Sequence, residues 1–394
     1  MSTIKWSPVT AHLCNNAPGT IVVGSPGSGK TFFMINVAAN CLGMGQKVIV
    51  IDPKNDFNKL YNVNKNIELI DISNVREGAL NPFTFLRKKD KDGNIEFLDT
   101  STLITIIECL CGKLDKETRI DIMPIVKDFV TKSRNTGEYV DMQDVADYLF
   151  QNNKESAQSI GTQLKTFEDN KMGKLLFTRQ SDVEPLELSE TSSMVITLHG
   201  MQLPGYDKKP EDYNSNERLT STILFLLTTK LFDILQQDNV IPTTFICDEA
   251  QLLFANPEMS SVIDNYLRLG RSLNVATILA SQGITSFPEK ISNNITSKFL
   301  FKSSIDEAEA FLNRFDTSKL DPANAIDVDN IISAATKFPT GMCFFIDRLG
   351  RNGVIRIKSI YDVNLLTSNP ILKKRDKKRF GIKDDEDSEE TKEE

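Results

Sequence analysis

The stretch Gly19-Thr20-Ile21-Val22-Val23-Gly24-Ser25-Pro26-Gly27-Ser28-Gly29-Lys30-Thr31 decides how the rest of the chain reads. Thr20–Val23 is a short apolar run rich in β-branched residues and bounded by glycines, the pattern of a buried strand. Thr31–Leu42 continues as a helix that Gly43 and Gly45 end. Between them, Gly24–Thr31 fits G-x-x-x-x-G-K-[ST] without a mismatch. Glycines let backbone N–H groups converge on phosphate oxygens with no Cβ in the way. The helix that follows adds the positive end of its dipole. In such a loop Gly24, Ser25, Pro26, Gly27, Ser28 and Gly29 cradle the phosphates of ATP. Lys30 then reaches the β- and γ-phosphates, and the Thr31 hydroxyl ligates Mg²⁺.

Outward from this loop the chain alternates. Lys47–Ile51 reads as a strand stopped by Asp52-Pro53, and Ile67–Ile72 as another. The alternation returns with strands at Met194–Leu198, Thr243–Cys247, Val275–Ala280 and Lys298–Lys302. Helices are expected at Glu217–Gln236, Met259–Arg271 and Asp306–Arg314. Gly341–Asp347 and Val354–Lys358 read as a hairpin at the sheet's edge. This order implies an α/β fold with a mainly parallel sheet and helices on its faces.

From about Phe97 to Phe177 strand-like runs give way to helical periodicity, as in Ile122, Ile125/Val126 and Phe129/Val130. Asp141 is placed to cap a helix carrying Met142, Val145 and Leu149 on one face. The expected division is therefore an ATPase core over 1–96 and 181–372, with an all-helical insertion over 97–180. The remaining 373–394 runs from basic Lys373–Arg379 to acidic Asp384–Glu394 and reads as a disordered charged tail.

Two further elements complete the nucleotide chemistry. Phe245-Ile246-Cys247-Asp248-Glu249 delivers two acids at the end of an apolar strand. Asp248 is expected in the Mg²⁺ shell, and Glu249 as the base that polarises the attacking water. Gln282 follows the strand Val275–Ala280 and reads either as a strand cap or as a contact to the γ-phosphate and lytic water. Arg268 and Arg271 share a helix face. They read either as a solvated helix end or as a finger supplied across a subunit interface, with Arg271 preferred.

Composition limits the partners. The 394 residues carry a net charge of −8, which argues against coating nucleic acid by bulk charge. It leaves room for a motor with locally basic loops. The N-terminus has no apolar leader, and the six cysteines read as reduced cytosolic thiols. Cys109 and Cys111 lack a second Cys/His cluster and read as small apolar helix residues rather than a metal half-site. Ile223–Leu235 is the most apolar stretch, but Thr228, Thr229, Lys230 and Asp233 interrupt it. A membrane span needs about 20 largely apolar residues, so this reads as a buried helix.

Taken together, these motifs resemble the HerA/FtsK superfamily of ring-forming P-loop ATPases. Within it, the chain is most similar to the conjugative type IV secretion ATPases of the VirB-four/TraC/TrbE type. The likeness covers roughly residues 18–360 and lies in their C-terminal ATPase domain, without the usual N-terminal domain. Beyond Gly24–Thr31 it rests on Asp52-Pro53, Asn81-Pro82-Phe83, Gly173–Phe177, Asp248-Glu249-Ala250, Leu269-Gly270-Arg271, Ser281-Gln282 and Asn294–Phe301. Asp52-Pro53-Lys54 also resembles the coupling-protein branch.

The resemblance implies a RecA-like core and Mg-ATP hydrolysis within a hexameric ring, with monomer or dimer as alternative states in solution. It further implies membrane-associated secretion components, and DNA, as partners. The expected location is the cytoplasm, at the inner face of the membrane through those partners. DNA translocation by a coupling, packaging or HerA-like pump is the competing function. A non-hydrolysing ATP-bound scaffold is the third, and the presence of Glu249 argues against it.

Overall fold

The protein is described by a computed structural model covering residues 19–89, 95–96, 98–136, 138–180, 183–205, 208–236, 241–254, 257–315, 328–347 and 350–359. The charged tail lies outside the described residues. The first βαβ unit is β1 (Gly19–Val23), α1 (Lys30–Gly43) and β2 (Lys47–Asp52), followed by β3 (Glu68–Asp71). Next come α2 (Pro82–Phe85), a small hairpin of β4 (Lys88–Lys89) and β5 (Ile95–Glu96), and four helices. These are α3 (Thr100–Cys111), α4 (Lys116–Thr136), α5 (Met142–Phe150) and α6 (Glu155–Lys165). The chain then returns to the sheet through β6 (Met194–Thr197), α7 (Ser215–Gln236), β7 (Thr243–Cys247), α8 (Gln251–Phe254) and α9 (Pro257–Leu269). It ends with β8 (Val275–Ser281), β9 (Ser297–Phe301), α10 (Ile305–Arg314), α11 (Val328–Ala335), β10 (Met342–Ile346) and β11 (Asn352–Arg356).

The described strands, apart from the β4–β5 hairpin, form one sheet in the order β11-β10-β9-β1-β8-β7-β2-β6-β3. From β9 to β3 every pairing is parallel, and the terminal hairpin β10–β11 closes the β9 side antiparallel. This is the RecA-like P-loop α/β architecture. Parallel strands buried on both faces need near-continuous apolar runs, and β1, β2, β7 and β8 are buried along their whole length.

Alternate residues face two cores. Ile21, Val23, Ile49, Ile51, Phe245 and Leu279 point to one face, while Val22, Val48, Val50, Ile246, Ile278 and Ala280 point to the other, against α1. The helices α3–α6 bury Ile104, Ile107, Ile122, Val126, Val145, Leu149 and Leu164 in the same continuous core as the first face. Helix α7 is long and apolar enough to cross a membrane. Here Leu219, Ile223, Leu226, Leu227 and Leu231 are fully buried inside the protein, so it serves as a core helix.

Asp141 fastens the helical block. Its carboxylate accepts from the N–H groups of Gln143 and Asp144 in a capping box with Asp144. Its second oxygen accepts from the N–H groups of Thr178 and Arg179, where the chain leaves the block. Asn81 ties the entrance to the same place, since its amide donates to the Val140 carbonyl at 2.9 Å. Cys109 is buried on α3, and burial pushes the neighbouring Cys111 thiol up to about 12. Among the described residues no cluster of three or more His, Cys, Asp and Glu side chains could hold a metal.

Candidate nucleotide site

Parallel pairing brings the C-terminal ends of β1, β8, β7 and β2 to one edge, the position where ligands bind in open α/β sheets. Val23 pairs with Ser281, Cys247 with Leu279, and Ile51 with Cys247. Everything the sequence offers for phosphate chemistry, apart from Arg268 and Arg271, follows one of these strand ends.

The loop after β1 is stitched to its neighbours by backbone. Gly24 N–H donates to the Ser281 carbonyl at 3.3 Å, and Ser25 N–H to the Lys302 carbonyl at 2.7 Å. A turn from the far end of the sequence closes over it: Gly341 N–H donates to the Ser28 carbonyl at 3.0 Å, and the Thr340 hydroxyl to the Gly27 carbonyl at 3.3 Å. Gly29, at φ 106°, caps α1 in the left-handed region, and a Cβ there would stand 2.9 Å from Gly341 N. Only glycine fits both restraints without strain. The Ser28 hydroxyl is buried with no hydrogen-bond partner among the described residues. Such an orphaned donor inside a cradle of N–H groups suits a phosphate oxygen.

The Lys30 ammonium folds back to donate to the carbonyls of Gly24 and Ser25. Burial pulls its pKa below the usual lysine value, against the opposing charges of Asp248 and Glu249. The Thr31 hydroxyl donates to Asp248 Oδ2 at 2.9 Å. Two hard oxygens so close, one of them a carboxylate, suit Mg²⁺, which takes one or two protein oxygens and completes its shell with water and phosphate. Burial, and next the charge of Glu249, raise the Asp248 carboxyl.

Glu249 sits two residues past β7 with φ 58°, a backbone strain that non-glycine residues adopt rarely. The residue is 5% exposed. One oxygen accepts from the ammonium of Lys54, and the other from Gln251 Nε2 at 2.6 Å. Burial opposes its ionisation, yet those two hydrogen bonds and the charges of Lys54 and Lys30 hold it below the ordinary glutamate value. Asp52, at the end of β2, is fully buried, and its pKa is pushed up to about 6, chiefly by burial. It accepts from the N–H groups of Lys54 and Phe57 and so shapes the turn that carries Lys54.

The structure therefore brings Gly24–Thr31, Asp248 and Glu249 together. Gln282 stands half-buried just past β8, between the phosphate loop and the acids. Arg271 does not join them. It is exposed and precedes β8, at the opposite edge of the sheet. Arg268 is also exposed and donates to Asn265 Oδ1 at 2.7 Å.

Sequence reading gave no role to Lys54, Gln251 or the Thr340-Gly341 turn. Gln251 could have been found from its place two residues past Glu249. Lys54 and the turn could not, because only the pairing of β2 with β7, and of β10 with β9 beside β1, brings them here.

The AAA-like domain family profile matches residues 12–368, and the chain belongs to that family. Among solved structures, VirB4 of Thermoanaerobacter pseudethanolicus superposes with a TM-score of 0.67 at 16% identity, over 89% of this chain and 91% of that one. The bacterial conjugative coupling protein TrwBdeltaN70, in its unbound monoclinic form, gives 0.51 at 10% identity, over 87% of this chain and 86% of that one. At these identities the likeness is one of fold. No curated protein matches the chain in sequence.

Proposed function

We propose, with membership of the AAA-like domain family as the premise, that this protein is an ATP-hydrolysing ring motor that energises a conjugative type IV secretion or DNA-transfer machine. One observation carries the enzymatic part. The Thr31 hydroxyl and the Asp248 carboxylate lie 2.9 Å apart at the mouth of a glycine-rich phosphate loop, with the Glu249 carboxylate on the next residue.

In this reading Lys30 and the loop N–H groups hold the β- and γ-phosphates, and Thr31 with Asp248 would hold Mg²⁺. The ion would supply neutralising charge at the phosphates. Glu249 accepts a hydrogen bond from the attacking water and aligns it on the γ-phosphate. Gln282 contacts the γ-phosphate and couples its loss to the sheet edge. Arg271 of a neighbouring subunit completes the site. The fold likeness to VirB4, a net charge of −8 and the burial of α7 favour a peripheral motor recruited to the membrane by partners.

The test is steady-state ATP hydrolysis by wild type and Glu249→Gln, titrated with single- and double-stranded DNA at one low salt concentration. Turnover that is insensitive to DNA and falls at least 100-fold in the variant is expected, the usual worth of a general base. Strong stimulation by DNA would favour a translocase instead. Equal turnover in the two proteins would refute the role of Glu249.

A further inference from the structure

We infer that Gln251 and Ser281 are positioning residues for hydrolysis: the Ser281 hydroxyl locks the Gln251 amide, and the amide holds the Glu249 carboxylate in the orientation that receives water. The inference deepens the reading of Glu249 as the base and rests on it. Glu249 lies in the turn after β7, Gln251 opens α8, and Ser281 is the last residue of β8, the strand beside β7.

Two hydrogen bonds run in series. Gln251 Nε2 donates to Glu249 Oε2 at 2.6 Å, and the Ser281 hydroxyl donates to Gln251 Oε1 at 3.0 Å. The sense of the amide follows from its partners. A primary amide has one donating and one accepting end, and an ionised carboxylate only accepts. Turned over, Gln251 would set its oxygen against that of Glu249, two acceptors face to face. The hydroxyl proton of Ser281 favours the working sense. Ser281 is fully buried, with the Ser286 hydroxyl 2.8 Å away on its other side, so breaking its bond to Gln251 strands a polar group away from solvent.

The backbone holds the two turns in the same relation. Ala250 N–H donates to the Ala280 carbonyl at 2.7 Å, and Gly24 N–H donates to the Ser281 carbonyl at 3.3 Å. Ser281 therefore touches both halves of the site: its carbonyl anchors the phosphate loop, and its hydroxyl sets the base through Gln251. A glutamate side chain free to rotate spends much of its time pointing away from the water it must align. In-line attack tolerates little such error, and a misplacement of about 1 Å costs about 10²-fold in rate. Tying the carboxylate to the strand that also holds the phosphate loop keeps base and γ-phosphate in register.

The experiment is steady-state ATP hydrolysis by the full chain, with affinity for a slowly hydrolysed ATP analogue measured by equilibrium titration. The variants are Gln251→Met, Ser281→Ala, Ser281→Thr, Glu249→Gln, and Gln251→Met combined with either Ser281→Ala or Glu249→Gln. Gln251 is half-buried, and methionine of similar volume removes its hydrogen bonds without emptying the space. Gln251→Met should lower kcat about tenfold, the worth of one hydrogen bond to a charged group, with analogue affinity unchanged. Ser281→Ala should lower kcat about fivefold, the worth of a neutral hydrogen bond, and Ser281→Thr, which keeps a hydroxyl, should recover most of that loss. Gln251→Met/Ser281→Ala should match Gln251→Met, because the serine acts through the glutamine. Gln251→Met should likewise cost nothing more once Glu249 is replaced. Affinity lost in step with kcat, additive effects, or a further loss in the Glu249→Gln background would reduce the pair to packing and overturn the inference. So would wild-type kcat in Gln251→Met beside an inactive Glu249→Gln. Wild-type turnover in Glu249→Gln would instead refute the base itself, and the inference with it.

Discussion

Replacing Arg271 with alanine should nearly abolish ATP turnover while leaving nucleotide binding intact, and the loss should be repairable by a neighbouring subunit. Arg271 precedes β8, whose seven residues run from Val275 to the Ser281 carbonyl that anchors the phosphate loop. At about 3.3 Å per residue the strand alone separates the arginine from its own site by about 20 Å, beyond the reach of one side chain. Any action at a γ-phosphate must then be on the site of another copy. An arginine supplied in trans contributes about 10³–10⁵ in rate, so the single variant should sit near background. The decisive assay mixes Arg271→Ala with Glu249→Gln, each inactive alone. In a head-to-tail ring assembled at random from equal amounts, about a quarter of interfaces pair an intact Glu249 with an intact Arg271. The mixture should therefore recover about a quarter of wild-type turnover, provided sites fire independently. Substantial activity in Arg271→Ala alone, equal loss of binding and turnover, or a mixture as dead as its parts would refute the reasoning.

Two further outcomes follow from local geometry. Asp141→Ala removes a helix cap worth about 1 kcal/mol and strands two further N–H groups worth about 1 kcal/mol each, so urea unfolding should show a loss of about 3 kcal/mol. An unchanged midpoint would mean that Asp141 does not fasten the helical block. Gly29→Ala forces a side chain into left-handed backbone at about 1–2 kcal/mol and drives its Cβ against Gly341. Nucleotide affinity should fall at least about tenfold while the far-ultraviolet circular dichroism stays that of the wild type. Unchanged affinity would show that the loop tolerates displacement of the 340–341 turn.

Much of this protein was legible one segment at a time. Apolar runs and glycine punctuation located β1, β2, β7 and β8 to within a residue or two, and helical periodicity located α4 and α5, because these signals are local. The eight residues of α11 went unread, since so short a helix offers too few turns for a period to stand out. The small β4–β5 hairpin was missed for the same reason.

What the sequence by itself determined was the chemistry available: a phosphate loop between a strand and a helix, and two acids at the end of another strand. Which residues meet was decided only by the tertiary structure. Periodicity tells which face of a segment is buried but not what buries it. Strand order, with β8 between β1 and β7, results from the packing of the whole chain. That order joins Thr31 to Asp248 across 217 residues and Lys54 to Glu249 across 195. Parallel pairing of β8 with β1 and β7 leaves Arg271, which precedes β8, at the far edge of the sheet. Contacts so distant in sequence leave no local signature, because they gain free energy only once the intervening chain has been ordered.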